Sequence, residues 1–257
     1  MMARTAATMK LALLADLHAN RHALEACLAD AHTRGAQQYA FLGDLVGYGA
    51  EPAAVLDIVM AMAREGAWVL RGNHDDAVLG APVGTDRADG AGAAWTRAQL
   101  TPAHCEFMGK LPLVLGHGFI MLVHASANDP QRWEYVKDNI SASMSLNAAA
   151  ASGASHVFCG HVHEQRLFFQ GAAQRVMAFE PTPDIAVPVP RHRRWLATVG
   201  SVGQPRDGRT EAMYAMFDVD SLQLTFVRVP YDHEGAASAI LAAGLPPFYA
   251  QRLAQGR

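Results

Sequence analysis

Short apolar runs in the first two thirds of the chain end abruptly at glycine or at carboxylate, amide and imidazole residues. Residues 10–15, 39–42, 68–70, 119–123 and 156–159 have this form. It is typical of buried parallel strands, which deliver polar side chains to the carboxyl edge of a sheet. The pattern therefore predicts five strands whose polar ends converge.

Between the early runs, apolar positions recur every three or four residues, as they do on one face of an amphipathic helix. Asn20 can cap a helix that carries Leu24 and Leu28, and Pro52 stands where the first turn of a second helix accepts proline. Residues 133–151 are predicted to be mainly helical. Strands and helices that alternate through short connections predict a parallel sheet with right-handed crossovers.

The later part of the chain changes to strands without long helices between them. A parallel half followed by an antiparallel half predicts two stacked sheets with helices outside. The proline-rich residues 181–190 cannot form a central strand and are predicted to be an exposed excursion. Residues 234–256 are predicted to form one or two closing helices. The predicted later strands are 165–169, 175–179, 194–199, 212–218 and 223–229.

The length of 257 residues fits one layered α/β domain, and we expect residues 1–257 to form a single domain. Residues 77–116 interrupt the alternation and are predicted to be a cap-like insertion over the site. No run approaches the roughly 20 apolar residues of a membrane span. The three cysteines are widely spaced and include no Cys-x-x-Cys pair, which favours a reducing compartment. We therefore expect a cytoplasmic protein.

The charge balance gives the molecule no general attraction for polyanions. The formal net charge is -3 at pH 7, so there is no strong signal for nucleic acid or for an anionic membrane. An anionic substrate would have to be held locally, by metal ions or by a few arginines. The sequence leaves the oligomeric state open.

The polar residues at the strand ends form a donor set for metal ions. The set contains carboxylate, amide and imidazole groups but no thiolate, which suits Mn, Fe, Co, Ni or Zn better than Mg or Ca. Any one of the histidines alone would be read as a packing or surface residue. Buried Asp and His need partners, however, so five such clusters in strand-end register favour a shared site, with Asp44 as the natural bridging carboxylate. The candidate ligands are Asp16, His18, Asp44, Asn73, His124, His161 and His163.

With these motifs in this order, the chain resembles the calcineurin-like metallophosphoesterase superfamily, and in particular its small bacterial phosphodiesterase-like members. The resemblance covers residues 10–208 and includes the loop 200–206. It implies a four-layer α/β/β/α sandwich of two mixed sheets flanked by helices, with a small helical insertion near the site. It also implies two divalent transition-metal ions, with Mn favoured over Fe, Ni, Co or Zn. One ion would be held by Asp16, His18, Asp44 and His163, and the other by Asp44, Asn73, His124 and His161.

Such a site predicts hydrolysis of a phosphate ester. Two metal ions roughly 3.5–4 Å apart can share a hydroxide that attacks phosphorus, and can stabilise the entering and leaving oxygens. His74 matches the family's histidine that is not a ligand, and it can protonate the leaving group. Asp75 could orient the His74 imidazole or cap the following turn, and Arg71 could bind a phosphate oxygen or form an ordinary ion pair.

One departure from the wider family bears on the substrate. Serine/threonine protein phosphatases and dinucleoside tetraphosphate hydrolases carry Asp-Arg where this chain has Gly47 and Tyr48. A flexible, uncharged pair removes one phosphate clamp, which favours a small phosphodiester over a phosphoprotein or a dinucleotide. The alternatives are a phosphomonoesterase or protein phosphatase of the same superfamily, or a non-catalytic scaffold with this fold. The scaffold is disfavoured because no ligand position and no His74 is lost.

Overall fold

A computed structural model of the protein describes residues 9–80, 87–171 and 174–257. Its strands are β1 (Lys10–Leu14), β2 (Gln38–Phe41), β3 (Trp68–Val69), β4 (Val114–His117), β5 (Ile120–Val123), β6 (His156–Cys159), β7 (Gln165–Gln170), β8 (Val176–Phe179), β9 (Ala186–Pro188), β10 (Trp195–Val199), β11 (Ala212–Asp218) and β12 (Gln223–Val229). Its helices are α1 (Arg21–Thr33), α2 (Pro52–Arg64), α3 (Asn73–Leu79), α4 (Arg87–Ala98), α5 (Pro102–Lys110), α6 (Asn139–Ala151), α7 (His233–Ala242) and α8 (Pro247–Gln255).

The strands form two mixed six-stranded sheets. Sheet A has the order β3-β2-β1-β11-β12-β9, and sheet B has the order β4-β5-β6-β10-β7-β8. In sheet A, β1, β2 and β3 are parallel, while β11 pairs with β1 in antiparallel register. In sheet B, β5, β6 and β10 are parallel, and the outer strands are antiparallel. Each sheet therefore contains a parallel centre extended by antiparallel strands.

The apolar faces of the two sheets pack against each other to form the central core. Helices cover the outer faces: α1 and α2 bury Leu24 and Val55 against sheet A, and α6 buries Leu146 against sheet B. The layers are thus helix, sheet, sheet and helix, as the sequence predicted. Fully or almost fully buried side chains between the sheets include Leu11, Leu13, Leu42, Leu122, Phe158, Phe217 and Phe226.

Local sequence signals explain where the first helices begin. The Asn20 side chain accepts a hydrogen bond from the backbone N–H of Ala23 at 3.1 Å, which is the N-cap contact that the sequence predicted. Proline at the first position of α2 lacks only an N–H that would have no partner inside the helix. Both helices connect parallel strands of sheet A.

Two predicted segments differ from the structure. Residues 133–138 are not helical, because Trp133 has φ +55° and the Asp138 side chain caps α6 by accepting from the N–H groups of Ile140 and Ser141. The prediction of a helix from residue 133 was therefore wrong at its start. The proline-rich residues 181–190 form no central strand and are almost all exposed or partly exposed, as predicted, but they contain the unpredicted short strand β9 at the edge of sheet A, where proline is tolerated.

The predicted insertion, residues 77–116, contains α4, α5 and the first residues of β4. Part of it, residues 81–86, lies outside the described residues. Its helices lie against α3, and the Arg97 guanidinium of α4 donates a hydrogen bond to the Val78 carbonyl at 3.0 Å. The single-domain boundaries stay a prediction. No helix among the described residues combines the length and apolar character needed to cross a membrane.

Candidate metal centre

The carboxyl ends of the parallel strands in both sheets meet at one edge of the sandwich. Asp16 and His18 follow β1, and Asp44 follows β2. Asn73 begins α3 directly after β3, His124 follows β5, and His161 and His163 follow β6. These side chains are buried, except that Asn73 is partly exposed. The fold thus brings together all seven side chains that the sequence proposed as ligands.

The first cluster consists of Asp16, His18 and His163, whose candidate ligand atoms all lie within 4.8 Å of one another. The Nε2 atoms of His18 and His163 are 3.0 Å apart, and His163 Nε2 is 3.4 Å from Asp16 Oδ1. Asp16 Oδ2 accepts a hydrogen bond from the His161 N–H at 2.8 Å. Asp16 Oδ1 is buried and has no hydrogen-bond partner among the described residues. An unpaired carboxylate oxygen in this position calls for a cation.

The second cluster consists of Asp44, His124 and His161, with Asn73 beside it. His124 Nε2 is 3.0 Å from Asn73 Oδ1, 3.2 Å from His161 Nδ1 and 3.4 Å from Asp44 Oδ2. The same Asp44 oxygen lies 3.8 Å from His18 Nε2 in the first cluster. The Asp44 carboxylate therefore stands between the two clusters.

Backbone carbonyls fix the orientation of all four imidazoles. A carbonyl oxygen can only accept, so the ring nitrogen facing it must carry a proton, and the opposite nitrogen turns its lone pair into the centre. This arrangement is the usual support for histidines that bind metal ions. The pairs are His18 Nδ1 with Val46 O (3.3 Å), His124 Nδ1 with Leu42 O (2.8 Å), His161 Nε2 with Trp133 O (2.9 Å) and His163 Nδ1 with Gln204 O (2.6 Å).

The electrostatics of the centre favour three neutral imidazoles and one charged imidazole, His124, beside the ionised Asp44 carboxylate. Burial lowers the pKa of His18, His161 and His163, in the case of His161 to about 3. Burial also lowers the pKa of His124, but the charge and hydrogen bonding of Asp44, together with Asp16 and the Leu42 carbonyl, outweigh burial and raise that pKa to about 9. Burial opposes ionisation of Asp44, whereas the His124 charge holds its pKa well below the ordinary value. A proton and a metal ion therefore compete for His124 Nε2.

The backbone at the centre is strained. Non-glycine residues rarely adopt positive φ, yet five of the seven candidate ligands do so. Such strain persists only where surrounding contacts fix it, and it concentrates at functional sites. Here each sharp turn directs a side chain from a strand end into the centre. The residues are Asp16 (φ +54°), His18 (+47°), Asp44 (+52°), His161 (+68°) and His163 (+60°).

Two motif glycines are required by close packing. A Cβ atom at Gly72 would overlap the Asp44 carboxylate, and one at Gly160 would overlap the Asp16 carboxylate. Side chains at either position would displace a candidate ligand. This explains in physical terms why glycine precedes Asn73 and His161 in the sequence.

The contacts of Asp75 are those of a residue that caps the following turn, one of the two roles that the sequence left open. Asp75 accepts hydrogen bonds from the N–H groups of Leu45, Val46 and Gly72, at 2.9, 3.2 and 2.8 Å. Burial and then the nearby Asp44 raise the pKa of Asp75 to about 7. A role of Asp75 in orienting His74 stays a prediction.

The Arg71 guanidinium contacts Asp76 and the Gly109 carbonyl. Its Nε lies 2.8 Å from Asp76 Oδ1, and its Nη1 donates to the Gly109 carbonyl at 3.2 Å. The ordinary ion pair is thus present, and phosphate binding by Arg71 stays a prediction.

His74 lies at the mouth of the centre and is partly exposed. Its imidazole centroid is 5.0 Å from that of His18 and 4.4 Å from the Tyr48 ring. One ring nitrogen of His74 lies within 4.8 Å of the potential metal-binding atoms of His18 and Asp44. Distance alone therefore does not show whether His74 is a metal ligand. Its assignment as a proton donor stays a prediction.

Tyr48 is a site residue whose role the sequence missed. The glycine at position 47 suggested a flexible pair, but the Tyr48 ring is only 9% exposed and packs against His18 and His74. Tyr249 of α8 covers its other side, with ring centroids 5.0 Å apart. An aromatic residue after glycine gives no local sign of such contacts, because its partner is 201 positions away in the sequence.

The donor set fits divalent transition metals. In each cluster, two imidazole nitrogens face each other at hydrogen-bond distance, 3.0 Å in the first and 3.2 Å in the second. Facing lone pairs repel, so each pair needs a shared cation, which is either a proton or a metal ion. Carboxylate, amide and imidazole donors without thiolate suit the metals that the sequence proposed.

Comparisons with known proteins agree with this geometry. The family model described as the calcineurin-like phosphoesterase superfamily domain matches residues 9–222. An uncharacterised protein of Methanocaldococcus jannaschii is 30% identical in an alignment over 256 residues that covers 96% of this chain and 98% of the relative.

Two solved structures share the whole fold. A metallophosphoesterase from Sphaerobacter thermophilus has a TM-score of 0.87 and 32% identity, with 97% of this chain and 100% of that chain covered. A hypothetical protein from Pyrococcus horikoshii OT3 has a TM-score of 0.77, 18% identity and coverage of 97% and 99%. The second likeness concerns the fold alone.

Proposed function

Because the chain belongs to the calcineurin-like phosphoesterase superfamily, we propose that it hydrolyses a phosphate ester with the help of two divalent metal ions, and that a phosphodiester is its preferred substrate. The proposal rests on the position of Asp44. Its Oδ2 atom lies within 4.0 Å of imidazole nitrogens from both clusters, at 3.8 Å from His18 and 3.4 Å from His124. A carboxylate in that position can be shared by two neighbouring metal ions.

The proposed ligand sets follow the two clusters. When bound, two metal ions supply an activated water and neutralise negative charge on the phosphoryl oxygens. The first ion would be held by Asp16, His18, Asp44 and His163. The second would be held by Asp44, Asn73, His124 and His161.

The protein's own groups complete the chemistry. An imidazole nitrogen of His74 would donate a proton to the leaving oxygen, since His74 lies beside the clusters and is more exposed than the four imidazoles within them. Tyr48 holds the His74 ring by packing on it at 4.4 Å, and it covers one side of the centre. The backbone N–H of His74 donates to Asp44 Oδ1 at 2.8 Å, which ties the position of the acid to that of the bridging carboxylate.

The proposed preference for a diester rests on the small number of arginines available to bind the scissile phosphate. A monoester carries about one more negative charge than a diester at neutral pH, and it gains more from arginine clamps. Arg71, two residues before the candidate ligand Asn73, is held by Asp76 and by the Gly109 carbonyl. Two further arginines near the centre, Arg206 and Arg252, lie beside the Tyr48 ring and are bound to Gln204. Tyr48 occupies the position at which related enzymes place an arginine.

The test compares two model esters with the Mn-loaded protein at one pH. We expect a higher kcat/KM for bis(p-nitrophenyl) phosphate than for p-nitrophenyl phosphate. A clear preference for the monoester would contradict the diesterase assignment and leave the dimetal mechanism standing. Absence of hydrolysis of both esters, in a protein shown to contain bound metal, would favour the non-catalytic scaffold.

A further inference from the structure

Two arginines from distant parts of the chain converge on one side-chain amide. Arg206 donates to Gln204 Oε1 through Nη2 at 2.8 Å and through Nε at 3.3 Å. Arg252 of α8 donates to the same oxygen through Nη1 at 3.4 Å. Gln204 is 1% exposed and is fixed by its backbone, because its N–H donates to Ser201 Oγ at 2.8 Å. A buried neutral acceptor thus holds two positive charges side by side.

Among the residues that the structure describes, no carboxylate lies within 4.0 Å of the Arg206 or the Arg252 guanidinium. Other arginines in this region are neutralised: Arg209 pairs with Glu211, with its Nη2 2.6 Å from Oε1, and Arg228 pairs with Asp207. Like charges that share one neutral acceptor repel each other, and an anion that bridges them removes the repulsion. Both arginines are partly exposed, so an anion from solvent can reach them.

The pair lies directly beside the candidate metal centre. The Cζ atoms of Arg206 and Arg252 are each 5.7 Å from the centroid of the Tyr48 ring, and the same ring lies 4.7 Å from the His18 imidazole. The Arg206 N–H also donates to the His163 carbonyl at 3.2 Å. The two guanidiniums are therefore one aromatic ring away from the first cluster.

We propose that Arg206 and Arg252 form a second anion subsite, and that the substrate carries a second phosphate besides the ester that is cleaved. The inference rests on the proposed phosphoesterase function and specifies its substrate class. Guanidinium groups bind phosphate oxygens through paired N–H donors, and two of them around one phosphate give a strong, directional contact. Both guanidiniums lie beside the Tyr48 ring, and neither makes a hydrogen bond to a candidate ligand side chain among the described residues, so we place the second phosphate next to the centre and not on it.

A matched pair of chromogenic diesters tests this subsite. The first is thymidine 5′-(p-nitrophenyl phosphate), and the second is the same ester with an added 3′-phosphate. Both have the same scissile bond and leaving group, so their ratio of kcat/KM measures recognition of the second phosphate. We expect the metal-loaded protein to prefer the 3′-phosphorylated ester by roughly ten-fold or more, the scale of one hydrogen bond to a charged group.

Three variants separate a binding role from a structural one. Arg252→Gln should bring the ratio down towards one, and Arg252→Lys, which keeps the charge, should retain part of the preference. Arg209→Gln removes an exposed arginine that is paired with a carboxylate, and it should leave the ratio unchanged. If Arg252 only tethered α8, the lysine and glutamine variants would lower activity on both esters equally, and the ratio would stay at its original value.

A binding measurement keeps this inference separate from the proposed function. Calorimetric titration of the metal-free protein with thymidine 3′,5′-bisphosphate needs no catalysis. We expect saturable binding that Arg252→Gln weakens by roughly ten-fold and Arg209→Gln does not change. Equal affinity of the original protein and Arg252→Gln, or no saturable binding, would overturn the subsite. If the bisphosphate binds as expected and neither ester is hydrolysed, the subsite stands and the proposed function fails.

Discussion

Asp44 and His74 lie 30 positions apart in the sequence and are joined by a hydrogen bond, yet their proposed tasks differ. Asp44 is proposed to be shared by both metal ions, so Asp44→Asn should lose most of the bound metal and nearly all activity. His74 is proposed to move a proton, so His74→Ala should keep both metal ions while kcat falls by roughly 10²–10⁴-fold, the scale of one general acid. Elemental analysis of each purified variant, combined with kcat for the diester, makes the comparison.

The two variants control for each other. Equal metal loss in both would show that His74 is a ligand, which its position within 4.8 Å of His18 and Asp44 permits. Full metal content in Asp44→Asn would contradict a bridging role for this carboxylate.

At the level of single residues, the sequence predicted some site residues and missed others for a clear reason. Each candidate ligand follows a strand closely and belongs to a short motif, so local pattern was sufficient. Arg206 belongs to the loop 200–206 that the sequence had singled out, whereas Tyr48 and Arg252 gain their positions from tertiary contacts, with the Tyr249 and Arg252 side chains supplied by the last helix. No periodicity links residues so far apart.

The turn between β2 and α2 offers a test at the level of elements. Gly47 has φ +94°, and a Cβ there would lie 2.8 Å from His74 Nδ1. Gly66, after α2, has φ +102° with nothing within 4 Å of a Cβ. Alanine at Gly66 should lower the free energy of unfolding by about 1 kcal/mol, because the position needs a left-handed backbone, and alanine at Gly47 should lower it by at least as much because its Cβ also meets His74.

The activities of these two variants should differ. Gly47→Ala should also displace His74. We therefore expect kcat for the diester to fall by more than about ten-fold, which is less than the loss expected when a general acid is removed. Gly66→Ala should keep its kcat. Urea unfolding and steady-state kinetics measure the two effects separately, and equal kcat in both variants would show that Gly47 does not position His74.

Elements with strong boundary signals were predicted most closely. α2 runs from Pro52 to Arg64 as its proline suggested, and β6, β11 and β12 have the expected bounds. β4 was missed because its residues are mostly exposed and show no alternation of buried and exposed positions. The false helical start at Trp133 came from treating a polar segment as continuous with the alanine-rich part of α6.

For the whole molecule, the candidate metal centre joins the two sheets. Asp16, Asp44 and Asn73 follow strands of sheet A, while His124, His161 and His163 follow strands of sheet B. A ligand that binds only the folded state stabilises it by about 2.7 kcal/mol at a free concentration of about one hundred times its dissociation constant.

Supplying Mn to chelator-treated protein should therefore raise Tm by roughly 5 °C or more, given about 2–4 °C per kcal/mol for a chain of this size. Scanning calorimetry with and without Mn measures the shift. Asp44→Asn should show a much smaller shift. The same shift in the variant would mean that Mn acts elsewhere on the protein.

The concentration of candidate chemistry at one edge of the sandwich leaves the opposite edge available for attachment. The turn after α6 contains the exposed Gly153, and the turn from β11 to β12 contains the exposed Asp220. The first turn precedes β6, and the second lies beside the start of β1, which pairs with the end of β11. The opposite ends of β6 and β1 carry candidate ligands. A fluorophore or a surface linker joined at these turns would be held one full strand length from the candidate metal centre, so attachment should leave the proposed activity unchanged.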